Sequence, residues 1–160
     1  MELLRGAALI AATVTTGLVT GLLYGFACAV MPGLAKVDDR TFVTTFQRIN
    51  VAIVNGWFLL SFLGALGFTA LAAVLHLGAD GHGVLPWTLA ALVLYLAALA
   101  ITVRANIPLN NQLAAAEEAD YAAARQRFEE PWVRWNIARA LAATAALGCL
   151  AWALVEYGRI

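Results

Sequence analysis

The stretch PWVRWNIARALAATAALGCLAWALVE, residues 131–156, decides how this chain is to be read. From Ala140 to Val155 it carries no charge over 16 residues. A helix that crosses a bilayer core needs ~20 apolar residues. The spanning helix must therefore begin near Trp135 or Asn136, which puts Arg139 below the membrane surface. An arginine at that depth is costly and marks a functional site by default. Trp132, Trp135, Asn136 and Arg139 follow the i, i+3, i+4, i+7 spacing of one helix face. Two indoles, an amide and a guanidinium make a poor surface toward lipid. They make a good wall for a flat ligand with an anionic or carbonyl oxygen.

The rest of the chain agrees with a membrane setting. Of its 160 residues, 62% are hydrophobic and 12% charged, and the mean hydropathy is +0.80; soluble domains sit near ~45–50% apolar. Residues 6–35, 49–79 and 81–103 also lack Asp, Glu, Lys and Arg. Each exceeds the ~18 residues expected of a transmembrane helix. Only helices satisfy the backbone in lipid at this composition. The expected fold is thus all-α, a polytopic four-helix membrane bundle forming one domain over residues 1–160. The zero net charge gives no reason to expect nucleic acid as a partner. The first apolar run is about twice a signal-peptide core in length, so Ala27-Cys28-Ala29 is not read as a cleavage site.

Helices are expected near 4–31, 38–77, 84–105 and 131–158. A shorter surface helix is expected between spans three and four, with residues 117–130 reading as such a segment. Met31-Pro32-Gly33 should end the first helix and Asn106-Ile107-Pro108 the third, since a residue before proline avoids the α region. Asp38 or Asp39 offers an N-cap for the second, which has no breaker before Gly56 and should be the longest. Pro131 suits the first position of the fourth. Gly17, Gly21 and Gly25 form a GxxxG close-packing stripe on the first, usable also for homo-oligomerisation. Cys28 and Cys149 should lie at different depths, as packing residues and not as a disulfide.

Eight basic residues (Lys36, Arg40, Arg48, Arg104, Arg125, Arg127, Arg134 and Arg139) lie in or beside the two long loops, against Arg5 and Arg159 on the other side. The positive-inside rule then puts both long loops in the cytoplasm and both termini outside a cell membrane. At the cytoplasmic face gather Gln47, Asn50 and Asn55 on helix two, Arg104, Asn106 and Asn110 on helix three, and Trp132, Trp135, Asn136 and Arg139 on helix four. These are hydrogen-bond donors and fixed positive charge, suited to holding an oxyanion. Asn50, Asn106, Asn110, Asn136 and Arg139 are the expected reaction-site residues. Gln47, Asn55, Arg104, Trp132 and Trp135 are the expected substrate contacts. No metal or cofactor is expected, since His76 and His82 read as interfacial residues and neither a haem-ligating pair nor a Glu-x-x-His pattern occurs. Gln47-Arg48-Ile49-Asn50 and Val133-Arg134-Trp135-Asn136 share Arg-x-Asn and suggest a two-helix repeat.

The chain also resembles the anthrone oxygenase-like (DUF1772) family of small membrane proteins. The resemblance rests on Met31-Pro32-Gly33-Leu34, on Phe46-Gln47-Arg48-Ile49-Asn50 with Ile53-Val54-Asn55, on Asn106-Ile107-Pro108-Leu109-Asn110, and on Trp132, Arg134-Trp135-Asn136 and Arg139. It covers nearly the whole chain. It implies an oxidoreductase of polyketide-type aromatics, since fungal relatives are implicated in oxidising anthrones to anthraquinones. An anthrone becomes an electron-rich enolate on losing a proton, and such an anion can pass an electron to O2 without metal or flavin. The partners implied are an aromatic small molecule, O2 and membrane lipid. The proton acceptor would be water, Tyr24 or a loop carboxylate such as Asp38. The competing expectation is a non-catalytic membrane module: a binding protein, a scaffold or an oligomeric transporter subunit.

Overall fold

In the computed structural model, residues 1–78 and 83–159 are described, and all their regular structure is helical; His82 lies outside the described residues. Five helices succeed one another: α1 Glu2–Leu34, α2 Asp39–Ile53, α3 Gly56–Leu75, α4 Leu85–Ala114 and α5 Tyr121–Tyr157. All but α2 are long and apolar enough to cross a membrane. The outer surface is rich in exposed apolar side chains, such as Ile10, Val14, Leu18, Leu60, Val74, Val93 and Leu141. That is the pattern of a polytopic bundle whose solvent is lipid.

Several helix ends differ from those expected. The first and third spans do not stop at their prolines. Each widens into a π turn just before, Phe26–Val30 ahead of Pro32 and Thr102–Asn106 ahead of Pro108. A proline ring collides with the carbonyl four residues back and lacks the N–H that would bond to it. One extra residue in the turn moves that carbonyl aside, so the helix continues. Pro131 likewise lies inside α5 rather than at its start. The expected surface segment before it is the first part of the same 37-residue helix, leaving only a 3-10 turn at Glu118–Asp120 as a separate piece. Hence α5 is the longest helix, not the second span.

The expected continuous helix over 38–77 is broken instead. Asp38 caps α2 as expected, its carboxylate accepting from the Thr41 N–H at 3.0 Å and the Thr41 hydroxyl at 2.6 Å. After Ile53 the chain turns through Val54 and becomes extended at Asn55. Asn55 Oδ1 accepts from the N–H groups of Trp57 and Phe58, at 3.0 and 3.1 Å, while its Nδ2 donates to the Ala52 carbonyl at 2.9 Å. One amide thus closes the end of α2 and caps α3. The break separates two partners: α2 packs on α4 and α5 at the loop end, while α3 packs on α1 and α4.

α1 packs on α3 and α5, and α4 on α5, with a looser α3–α4 seam. Small residues bring the axes close: Ala12, Ala65, Ala91, Ala143 and Ala146 are fully buried. The glycine stripe does little of this. A Cβ at Gly17 would meet Leu147 at 3.7 Å, but one at Gly21 or Gly25 would meet nothing within 4 Å. At the loop end, Phe26, Phe42, Phe46, Phe128 and Trp132 form one aromatic core, with centroids from 4.7 to 6.4 Å apart. Arg125 pins α5 to the α1–α2 turn. It donates to the carbonyls of Val37 and Ala35 and to the carboxylates of Asp39 and Glu129, with its guanidinium 4.5 Å from the Phe42 ring centre. At the opposite end His76 is buried rather than interfacial. Its Nδ1 lies 2.7 Å from the Ala72 carbonyl and its ring meets Tyr157 edge-on. Cys28 is exposed, Cys149 half-buried, and both are free.

Candidate functional site

The π turn of α4 sets the rotation of the last part of that helix. Thr102 and Asn106 face inward and are buried, and Asn110 comes next along the same side. On α5, Trp132 and Asn136 are 2% and 1% exposed. The two rows meet as a ladder. Trp132 Nε1 donates to Asn110 Oδ1 at 2.7 Å. Asn106 Nδ2 donates to the Trp132 carbonyl at 3.3 Å. Arg139 Nη1 donates to Thr102 Oγ1 at 3.2 Å. A third helix joins through Asn136, whose Nδ2 donates to the Leu23 carbonyl of α1 at 3.1 Å.

Arg139 is the electrostatic centre of the ladder. Its Nε and Nη2 both donate to Asn136 Oδ1, at 3.2 and 3.1 Å. Its guanidinium carbon lies 5.4 Å from the Trp132 ring centre, within reach of a cation–π attraction. Among the described residues no carboxylate pairs with it. Three of its five N–H groups are thereby used. One N–H on each Nη is left over. A cation held only by neutral oxygens in a bundle core is under-compensated.

Beside this ladder lies a cavity of about 350 Å³, bounded by all five helices. This is within the ~300–1,000 Å³ range of small-molecule sites. Its wall is largely aromatic and aliphatic: Phe26, Phe46, Phe58, Phe62, Trp132 and several Leu and Ile. Its polar groups are Asn50, Thr102, Asn110 and Arg139. The Asn50 amide makes no hydrogen bond to the described residues, and Asn110 Nδ2 is likewise uncommitted among them. The arrangement therefore offers free N–H donors from three helices and one positive charge against an otherwise greasy wall. Among the described residues no His, Cys, Asp or Glu lines it, and no group of three such residues that could hold a metal occurs.

The sequence-derived residues fall into three sets. Asn50, Asn110, Trp132 and Arg139 line the cavity. Asn106 and Asn136 are buried behind it and hold Trp132 and Arg139 in place; Asn106 Oδ1 has no partner among the described residues. Gln47, Asn55, Arg104 and Trp135 are not brought there. Gln47 Nε2 donates to the Leu113 carbonyl at 2.9 Å and fastens α2 to α4. Asn55 is the cap between α2 and α3. Arg104 is exposed on the outer side of the π turn, and Trp135 is 47% exposed beside Pro131 and Arg134. Thr102 and the phenylalanine wall were not singled out from the sequence. Thr102 was detectable, for it stands at i−4 and i−8 from Asn106 and Asn110. The phenylalanines, in contrast, look like any core residues until the cavity is seen.

No curated protein and no solved structure matches the chain. A family model described as anthrone oxygenase matches residues 57–149. That is more than half of the chain, from the first turn of α3 to deep within α5, so the match takes in Thr102, Asn110, Trp132 and Arg139 together; the chain belongs to the anthrone oxygenase family.

Proposed function

We propose that the protein is a membrane-embedded oxygenase of a phenolic, anthrone-like or quinol-like small molecule, and that Arg139 holds the anion from which the reaction starts. The observation that carries this reading is the guanidinium, without a carboxylate partner among the described residues, at the wall of an aromatic-lined cavity. Phe26, Phe46 and Trp132 would flank a flat ring system, and the free N–H groups of Arg139, with Asn110 Nδ2 and Asn50, would take its oxygen. Positive charge in a site of low dielectric favours the ionised form of a bound phenol or enol. Water is the proton acceptor that fits best. Tyr24 is 64% exposed and away from the cavity wall, and the Asp38 carboxylate is committed to Thr41.

The anion then gives one electron to O2, forming superoxide and a carbon-centred radical. The two couple, making a C–O bond at the ring carbon opposite the held oxygen. Protonation gives a hydroperoxide. Loss of the remaining C–H proton with cleavage of the O–O bond leaves a ketone and releases water. One oxygen atom enters the product and the other leaves as water, so an anthrone and O2 become an anthraquinone and H2O. The protein's part is to position the anion and steady its charge. In the expected orientation the cavity lies toward the cytoplasmic side of the cell membrane.

A second reading shares the ligand and drops the reaction. Among the described residues the wall carries no strong base, and this favours a membrane binding protein for the same aromatic anions. Oxygen uptake in liposomes with 1,8-dihydroxyanthrone, corrected for spontaneous oxidation, separates the two. The oxygenase reading expects uptake above background and, for Arg139→Gln, a loss in kcat/KM on the order of 10²-fold. Lysine should be a poor substitute, because it lacks the planar fork. Background uptake by the wild type, with binding of the quinone retained, would leave the binding module.

A further inference from the structure

The rim of the cavity is apolar and faces outward. Val54, Leu59, Leu63 and Ile107 line it and are also between 42% and 65% exposed. Leu59 and Leu63 lie in the first two turns of α3, so the rim reaches about 10 Å down that helix. α3 and α4, which carry most of the rim, form the loosest of the four adjacent seams in the bundle. At the level of Leu63, the lower edge of the rim, the Tyr95 hydroxyl ties α4 to α3 by donating to the Phe62 carbonyl at 2.8 Å. Above the opening, the Asn55 cap fixes the corner between α2 and α3. The way in from the loop end is filled by Phe42, Phe46, Leu113 and Phe128, each 2% exposed or less.

We infer that apolar aromatic ligands enter sideways from the bilayer through a portal between α3 and α4, in their neutral form. A ring of Val, Leu and Ile offers nothing to a charged molecule, which would shed its hydration there without compensation. A neutral aromatic already dissolved in hydrocarbon loses nothing by the same passage. Among the described residues the only positive charge on the cavity wall is Arg139, inside the rim. Ionisation therefore comes after passage, and the anion so formed is retained by the charge it meets. This last step rests on Arg139 as the holder of the anion, while the portal itself does not. The substrate class becomes narrower: membrane-dissolved, uncharged on arrival, and acidic enough to ionise beside a guanidinium.

Labelling of a cavity cysteine tests the route without any need for turnover. In protein carrying Cys28→Ser, Cys149→Ser and Asn50→Cys, reconstituted in liposomes, two thiol reagents are compared. One is the bilayer-soluble N-phenylmaleimide and the other a membrane-impermeant sulfonated methanethiosulfonate, each scaled to its rate with a free thiol. The portal expects the maleimide to react at least tenfold faster on that scale. It also expects Leu63→Trp, which places an indole at the rim, to slow the maleimide at least tenfold. Phe58→Cys is a second reporter, should Asn50→Cys disturb folding. Equal scaled rates for the two reagents, or a maleimide rate untouched by Leu63→Trp, would overturn the portal. Oxygen uptake by the unsubstituted protein is a separate measurement, so the oxygenase reading and the portal can fail independently.

Discussion

Asn136 and Arg139 should depend on each other for stability, and a double-mutant cycle can measure by how much. Asn136 Oδ1 is the acceptor for two of the three Arg139 hydrogen bonds. In Asn136→Leu the guanidinium keeps Thr102 alone and stays partly buried without a carboxylate. A hydrogen bond to a charged group contributes about 1.5–3 kcal/mol. Bonds between membrane helices average only ~0.6 kcal/mol, because the unfolded reference also finds partners; the two bonds here lie within α5, three residues apart, and that value serves as their lower limit. Two long bonds to one oxygen, between these limits, give a coupling of about 2 kcal/mol, or roughly 30-fold in the unfolding equilibrium. Asn136→Leu alone should therefore destabilise clearly. Adding Arg139→Leu should recover most of the loss, since the charge that needed solvation is gone. Reversible unfolding in mixed micelles, monitored by circular dichroism, is the assay. A coupling under ~0.5 kcal/mol would refute the argument, because a guanidinium at this site would then not rely on the amide.

The geometry sets three further outcomes. Asn55→Ala should cost about 1 kcal/mol of stability through the lost α3 cap; unchanged stability with weakened ligand binding would make Asn55 a ligand contact instead. Arg125→Met should destabilise by about 2 kcal/mol, because four hydrogen bonds from a largely buried head are lost, and thermal melts should show it at both low and high salt; full suppression of the difference by salt would mean an exposed ion pair only. The Asp38 carboxyl titrates below its ordinary value, held there first by the Thr41 hydroxyl and then by the Thr41 N–H. A lowered folded-state value means that its contribution is present above the unfolded pKa of about 3.9 and is lost as pH falls through the folded value; Asp38→Ser should flatten that part of the acid unfolding profile, and an identical profile for both proteins would contradict it.

Much of this molecule is dictated locally. Four apolar runs of bilayer length, almost free of charge, admit one fold class, because lipid offers the backbone no other hydrogen-bond partners. The Asp38 cap was legible for the same local reason. The break at Asn55-Gly56 was also written in the sequence, as an asparagine that caps a helix start, but an uninterrupted apolar run outweighed it. Prolines misled in the other direction. Pro32, Pro108 and Pro131 are helix breakers by their own chemistry, yet α1 and α4 continue through theirs by way of a π turn, and α5 runs on through Pro131. Rotation about the helix axes was legible only in part. Trp132 and Trp135 both fit one face by spacing, yet packing against Phe26, Phe46 and Phe128 draws Trp132 inward and leaves Trp135 outside. The cavity is of the same kind. Its amides and guanidinium are visible as residue types, but which of them meet, which serve as caps and clamps, and where the wall opens depend on contacts between residues 22 to 113 positions apart, from Asn110 and Trp132 to Leu23 and Asn136. Composition and period act along the chain; only packing between helices decides what faces what.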